Sequence, residues 1–415
     1  MTTRRQRMAI LGASSLLFQG STFLLIAILK VYTDDDSFTY FLVQLGWASI
    51  LGSIGTLQLE VLLYQHFGKV NSSVLILPVL IAVIIIFTLF LLISLGLWML
   101  GTSPIFTIFT FVLALSFSLQ EFQTFLCVQQ QKFFTLLFSR MIQAINLTGV
   151  CLLVAFGANN STPQSIIGLY SLAILCVPAF WLAKTLLIAR QTTLKNHSTF
   201  IQKNPISGFL LRRAISLTFS ILINALYVNV PILIAGTTQS SAFTADFGFI
   251  LKLLTGPITL IRQIFGRLFF ARCLDIKIVD EASRTKVRKE LFNTQRLSAL
   301  LFLGFSVFIV PFIFMFQQPL QISMPVLVVF LILATSGQVL VNPVANIRVI
   351  LGDEWNFMTF DLARTGLLIA ALTYINVLDF HIVYSVMSCC IYLAYIRFIY
   401  WRLSETPKTK WEPEL

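Results

Sequence analysis

Residues 1–38 read MTTRRQRMAILGASSLLFQGSTFLLIAILKVYTDDDSF, and the order of three features in that stretch decides the fold. Arg4, Arg5 and Arg7 come first, an apolar run from Met8 to Val31 follows, and Asp34, Asp35 and Asp36 close it, with Lys30 at the end of the run. About 20 apolar residues in a helix cross a bilayer core. The run is too long for the hydrophobic region of a secretory signal, about 7–15 residues, and no Ala-x-Ala site follows it. It is therefore expected to remain as a first membrane span. Basic residues before it and acids after it fit the positive-inside rule, with the N-terminus in the cytoplasm.

The same alternation continues along the chain. Further apolar runs fall near 38–59, 73–100, 104–127, 134–157 and 164–187, then 208–235, 242–268, 294–316, 322–345, 357–378 and 380–402. The gaps between them alternate between rich and poor in Lys and Arg, ending with Arg402, Lys408 and Lys410. The expectation is an all-α polytopic membrane protein of twelve transmembrane helices, in two six-helix bundles around a central cavity, with both termini cytoplasmic. The halves are 1–190 and 208–415, joined by a cytoplasmic linker at 191–207. A second basic gap, about 269–294, reads as an amphipathic cytoplasmic connector.

Composition agrees with this. The chain has 415 residues, is 57% hydrophobic and only 11% charged, with a mean hydropathy of +0.87. Soluble domains carry about 25% charged residues. The net charge of +12 would suggest nucleic acid in a soluble protein. Here the cations cluster at span ends, where they set topology and face anionic lipid, so no nucleic-acid partner is expected. The six cysteines show no CxxC and no Cys/His cluster, and the histidines (His66, His197, His381) lie far apart. No disulfide, metal or cofactor is expected. The only Gly-Lys pair, Gly68-Lys69, is followed by Val70, so there is no phosphate-binding loop; no GxSxG or HExxH occurs either. Any transport would draw on a gradient or a partner, and no enzymatic activity is expected.

A faint repeat relates the two halves. A shift of 205 positions lays Arg7 on Arg212, Gln19 on Asn224 and Phe38-Thr39 on Phe243-Thr244. Each pair stands at the same stage of its half. Parallel repeats of this kind occur in transporters with the binding site at the repeat interface.

Polar residues inside spans are costly, about 2.5–3.5 kcal/mol for a central Lys or Arg, so they mark cavities or partners. In the eighth span Lys252, Thr255, Thr259 and Arg262-Gln263 recur at one-face helical spacing, with Pro257 expected to kink the span beneath them. Lys252 lies too deep to snorkel and is expected to face a cavity. Arg262 either faces the cavity too or snorkels to the inner surface. Ser15, Gln19 and Thr22 share a face of the first span, and Ser216, Ser220 and Asn224 a face of the seventh. They serve interhelical hydrogen bonds or a cavity wall. Arg140, Gln143 and Asn146 open the fifth span; Asp361 and Arg364 in the eleventh are placed for a local ion pair. Glu60, Glu121 and Asp246 are proton or cation sites, or are wetted near span ends.

These residues together resemble the Wzx-type polysaccharide flippases of the multidrug/oligosaccharidyl-lipid/polysaccharide exporter superfamily, over essentially the whole chain. Gln58-Leu59-Glu60 looks like that family's short motif ending in Glu. Gln131-Lys132-Phe133-Phe134 with Ser139-Arg140 and Gln143 looks like its basic-aromatic hinge. Pro257 with Arg262 and Phe269 looks like its eighth span, and Asn342-Pro343 with Gly352 like its tenth. The resemblance implies a flippase moving undecaprenyl-diphosphate-linked oligosaccharide, an O-antigen or capsule repeat unit of lipopolysaccharide or polysaccharide biosynthesis, across the bacterial inner membrane by alternating access. A polysaccharide polymerase and a chain-length regulator are the implied partners. Lys252, Lys30, Arg140 and Arg262 would then contact diphosphate or acidic sugar. Gln19, Thr22, Asn224 and Thr259 would meet sugar hydroxyls, and Asp246 or Glu121 would be the candidates for ion coupling. Two other readings stay open: a multidrug or small-molecule antiporter of the same superfamily, and a membrane glycosyltransferase or polymerase using Asp34, Asp35 and Asp36 as acids.

Overall fold

The apolar runs fold as helices wherever the chain can be followed. The computed structural model describes residues 4–55, 104–129, 132–157, 162–193, 208–273, 281–315, 324–345, 347–374 and 380–405, with helical pieces inside 83–92 and the single residue Ile276. The helices are α1 (Arg4–Tyr32), α2 (Asp35–Gly52), α3 (Pro104–Gln129), α4 (Phe133–Gly157), α5 (Pro163–Thr193), α6 (Gly208–Thr238) and α7 (Ser241–Ile261). A π-helical turn, Arg262–Gly266, leads into α8 (Arg267–Cys273). Then come α9 (Glu281–Met315), α10 (Met324–Val341), a 3₁₀ turn Asn342–Val344, α11 (Ile347–Leu351), α12 (Glu354–Thr373) and α13 (Phe380–Ser404). No strand occurs among the described residues. Nine of the described helical stretches are long and apolar enough to cross a membrane, the fold of a multi-pass membrane protein. The shorter α2 and α12 fall on two further expected spans; most of the third expected span, and Glu60, lie outside the described residues.

Two compact units divide the chain. One comprises 1–249 with Asp361–Thr365, the other 250–360 with 366–415. In the first, α1 packs on α4, α2 on α3 and α6, and α3 on α5. In the second, α9 packs on α10 and α10 on α13. The α3–α5 pair joins the fourth and sixth apolar runs of the first set, and α10–α13 joins the fourth and sixth of the second.

Small residues permit these close approaches, as is usual between membrane helices. A Cβ at Gly337 of α10 would stand 2.5 Å from the Tyr392 Cβ of α13, an atom tied to backbone that cannot swing away. Gly337→Ala is expected to push α10 from α13 and to cost about 1–3 kcal/mol, the usual range for overpacking. Thermal unfolding of the purified protein in detergent would show it as a lowered midpoint.

The basic gap near 269–294, expected as an amphipathic connector, is helical over its second part: α9 begins at Glu281 and runs unbroken for 35 residues. Nothing between Glu281 and Ser298 breaks a helix, and Arg284, Val287, Leu291, Thr294 and Ser298 form one buried stripe at helical spacing. Pro257 sits inside α7 and the helix continues through it. The ladder departs from α-helical only at the π-turn that follows. There a Cβ on Gly266 would lie 3.1 Å from the Pro343 carbonyl, so the π-turn and the 3₁₀ turn rest on one another.

The acids after α1 also find structural tasks. Asp34 caps α2, its carboxylate accepting from the Ser37 amide at 3.0 Å. Ser37's hydrogen bonds hold the Asp34 carboxyl below its ordinary pKa. A depressed pKa stabilises the fold above the unfolded value, and that contribution fades as pH falls through the lower folded value. Asp34→Ala is expected to cost about 1 kcal/mol. Hydrogen exchange at Ser37 should quicken relative to the rest of α2 in that variant, and in the wild type only at strongly acidic pH.

Candidate functional site: a polar stripe on a buried helix

Helix α7 is buried nearly all round. Between Phe243 and Ile261 every residue is buried except Lys252, Thr255 and Thr259, each half-buried. Arg262, at the start of the π-turn, is exposed, and Gln263 is half-buried. The spacing i, i+3, i+7, i+10 makes this a single line on one face. The Thr255 hydroxyl donates to the Lys252 carbonyl at 3.3 Å and the Thr259 hydroxyl to the Thr255 carbonyl at 3.1 Å. Their protons are therefore used within the helix, and their oxygens remain acceptors for a ligand's hydroxyl groups. Lys252 and Arg262 bracket the line about 15 Å apart at 1.5 Å per residue.

The other candidates fall into three groups, all in the first unit. Lys30 ends α1 between two carboxylates, 2.7 Å from Asp35 and 3.0 Å from Asp246. Its ammonium also lies 5.8 Å from the Phe38 ring centre. Arg140 of α4 is buried in an amide and hydroxyl network. It donates to Gln143 Oε1 at 2.9 Å and to Thr124 Oγ1 at 2.7 Å, and its guanidinium lies 4.9 Å over the Phe18 ring. Gln143 in turn reaches the Ile174 carbonyl at 3.1 Å, and Asn146 the Ala173 carbonyl at 3.3 Å, tying α4 to α5. Gln19 and Thr22 are half-buried; the Thr22 hydroxyl donates to the Phe18 carbonyl at 2.9 Å. Glu121 is exposed on α3.

The third group joins α6 to α12. Asp361 and Arg364 make the expected local pair at 2.9 Å. Both are buried, and both reach α6: Ser220 donates to Asp361 at 2.5 Å, and Arg364 donates to Asn224 Oδ1 at 2.5 Å while lying 4.6 Å over the Tyr227 ring. Thus Asn224 hydrogen-bonds a neighbouring helix. Sequence reasoning found the Ser216-Ser220-Asn224 stripe and the Asp361–Arg364 pair separately, but not that each was the other's partner. Phe18 and Tyr227 were missed altogether, although each lies within four residues of a polar group already singled out, Gln19 and Asn224.

The structure thus distributes the eight residues expected to bind substrate. Lys252, Thr259 and Arg262 share one line. Lys30, Arg140 and Asn224 lie elsewhere and are engaged with protein groups, and Gln19 and Thr22 are half-buried on α1.

No protein-family model matches the sequence, and no curated protein matches it in a sequence comparison. Solved structures do match. The chain is similar to the MATE multidrug transporter DinF-BH in a ligand complex, with a TM-score of 0.63 at 10% identity over 95% of this chain and 94% of that one. It is also similar to a MATE protein in a bent conformation, with a TM-score of 0.60 at 12% identity over 97% and 98%. A transporter of the MOP superfamily from Pyrococcus furiosus Vc1 matches with a TM-score of 0.60 at 12% identity over 99% and 100%. The chain therefore has the all-α fold of the MATE transporters of the MOP superfamily, along its whole length.

Proposed function

We propose that this chain is an alternating-access membrane transporter for an anionic polar headgroup, and specifically a flippase for undecaprenyl-diphosphate-linked oligosaccharide repeat units in a bacterial inner membrane. The observation that carries this is the α7 stripe, cationic at Lys252 and Arg262 with hydroxyl acceptors between them, on a helix otherwise shut off from its surroundings. A diphosphate offers the charge a lysine or arginine recognises, and an oligosaccharide offers hydroxyl donors to the threonine oxygens. The full-length likeness to transporters supports movement across the membrane, and the Wzx-like motifs support the lipid-linked substrate.

The test is a strain lacking the protein. It is expected to accumulate lipid-linked repeat units on the cytoplasmic leaflet, out of reach of the polymerase. Units reaching the outer leaflet at the normal rate would end the flippase reading.

Two of the structural neighbours are multidrug transporters, which favours a second reading, a multidrug antiporter. A site for cationic drugs calls for carboxylates, whereas the α7 stripe carries two cations and no acid. Broad resistance to cationic dyes in an overexpressing strain, with polysaccharide export unchanged on deletion, would favour the antiporter.

A further inference from the structure

We propose that Lys30, Asp35 and Asp246 form a latch released by a single proton on Asp246, which ties the start of α7 to the corner between α1 and α2. The three groups come from three elements: the last turn of α1, the first turn of α2 and the second turn of α7. One ammonium serves two carboxylates at 2.7 and 3.0 Å, so the cluster holds one negative charge in excess. The side chains of Lys30 and Asp246 are only 11% and 10% exposed, while that of Asp35 is 45% exposed.

The two acids are not equivalent. Asp35 is the more exposed of the two and stands in the first turn of α2. Asp246 lies beyond the first turn of α7. On the same turn of α7 the Phe243 and Phe247 rings stack on one another at 5.7 Å. The charged groups facing it are Lys30 from α1 and Asp35 from α2. Helix α6, which meets α7 through the Thr244 hydroxyl on the Ala235 carbonyl at 2.9 Å, brings only Thr237, Thr238 and Gln239 to this end. Asp246 is the more enclosed of the two carboxylates, and it is the one assigned the proton.

Its consequence is directional. A neutral Asp246 removes the ion pair between Lys30 and α7, while Lys30–Asp35, five residues apart across the turn, survives as a neutral pair. The ties left between α2 and the start of α7 among the described residues are uncharged, such as the Thr39 hydroxyl on the Ser241 carbonyl at 3.0 Å. The latch so described is independent of which substrate the protein carries.

Spin labels on the exposed residues Tyr32 and Ala242 would read the separation of the two elements by pulsed electron resonance in the full chain in nanodiscs. In an otherwise wild-type background a longer component is expected to grow as pH is lowered through one single-proton transition. Asp246→Asn should show that component at all pH values, with loss of the pH response. Asp35→Asn should keep the response, displaced to lower pH because a repelling charge is gone. Lys30→Met is a second route to the released state. An Asp246→Asn protein with the wild-type separation, or one that still responds to pH, would overturn the proposal, and so would a response abolished by Asp35→Asn alone.

Discussion

Arg364→Ala is expected to destabilise the protein by about 3–5 kcal/mol, the cost of breaking a buried pair and leaving one charge behind. Asp361 has no measurable exposure and Arg364 is 4% exposed. Removing the guanidinium would leave the Asp361 carboxylate with the Ser220 hydroxyl at 2.5 Å but without its counter-charge, and would strip Asn224 of its donor and Tyr227 of its cation. Most of the loss belongs to the orphaned acid rather than to the pair itself. The double variant Asp361→Leu/Arg364→Met should therefore recover much of the loss, because an apolar replacement of a buried ion pair is often neutral or better. Thermal unfolding of the wild type, both singles and the double in one detergent closes the cycle. A single variant within about 0.5 kcal/mol of wild type would mean that water reaches Asp361 and that the cluster is not a buried pin.

Arg140 makes the parallel case in the first set of helices. It stands in the fifth apolar run and lies over Phe18 of the first; Arg364 stands in the eleventh and lies over Tyr227 of the seventh. In both places an arginine face on an aromatic ring joins two helices, α4 to α1 and α12 to α6. The flanking groups differ: Arg140 is satisfied by neutral amide and hydroxyl oxygens, Arg364 by a carboxylate and an amide.

What could be read in advance follows from the range of each interaction. The α7 stripe was legible because helical periodicity is local: Lys252, Thr255 and Thr259 must share a face once the segment is a helix. The Asp361–Arg364 pair was legible for the same reason. Arg140 was less so. Its charge marked it as a residue unsuited to lipid, but sequence alone does not say whether such a cation waits for substrate or for Thr124 and Gln143. Lys30 carries a longer-range signal. It stands at the end of the first span away from the basic N-terminus, and Asp246 one turn into the eighth span from that same side. Opposite charges at one depth of a bilayer tend to meet, and here they do at 3.0 Å. Contacts such as Ser220 with Asp361, 141 residues apart, depend on which helices are neighbours, and no local pattern carries that.

Lys252→Met is expected to lower transport of the lipid-linked diphosphate about 10- to 100-fold with no loss of folded protein. The magnitude follows from a charge-assisted contact worth about 1.5–3 kcal/mol, each 1.4 kcal/mol being tenfold. Stability should move the other way. A lysine in the middle of a span carries an insertion cost of about 2.5–3.5 kcal/mol that methionine of similar volume avoids, so the variant should unfold no earlier than wild type. A lysine kept only to satisfy neighbouring helices would show the reverse, a lower unfolding midpoint with transport reduced merely in proportion to the protein remaining. Lys252→Arg keeps the charge and should retain much of the activity; Lys252→Glu repels a diphosphate and should fall below methionine. Arg262→Ala separates its two readings in a transport assay with the protein reconstituted in vesicles: a residue on the substrate's path lowers transport, and one that only anchors α7 at the inner surface leaves it unchanged. Transport that is indifferent to methionine at position 252 would remove the α7 stripe from the mechanism and return the search to the half-buried Gln19 and Thr22 of α1.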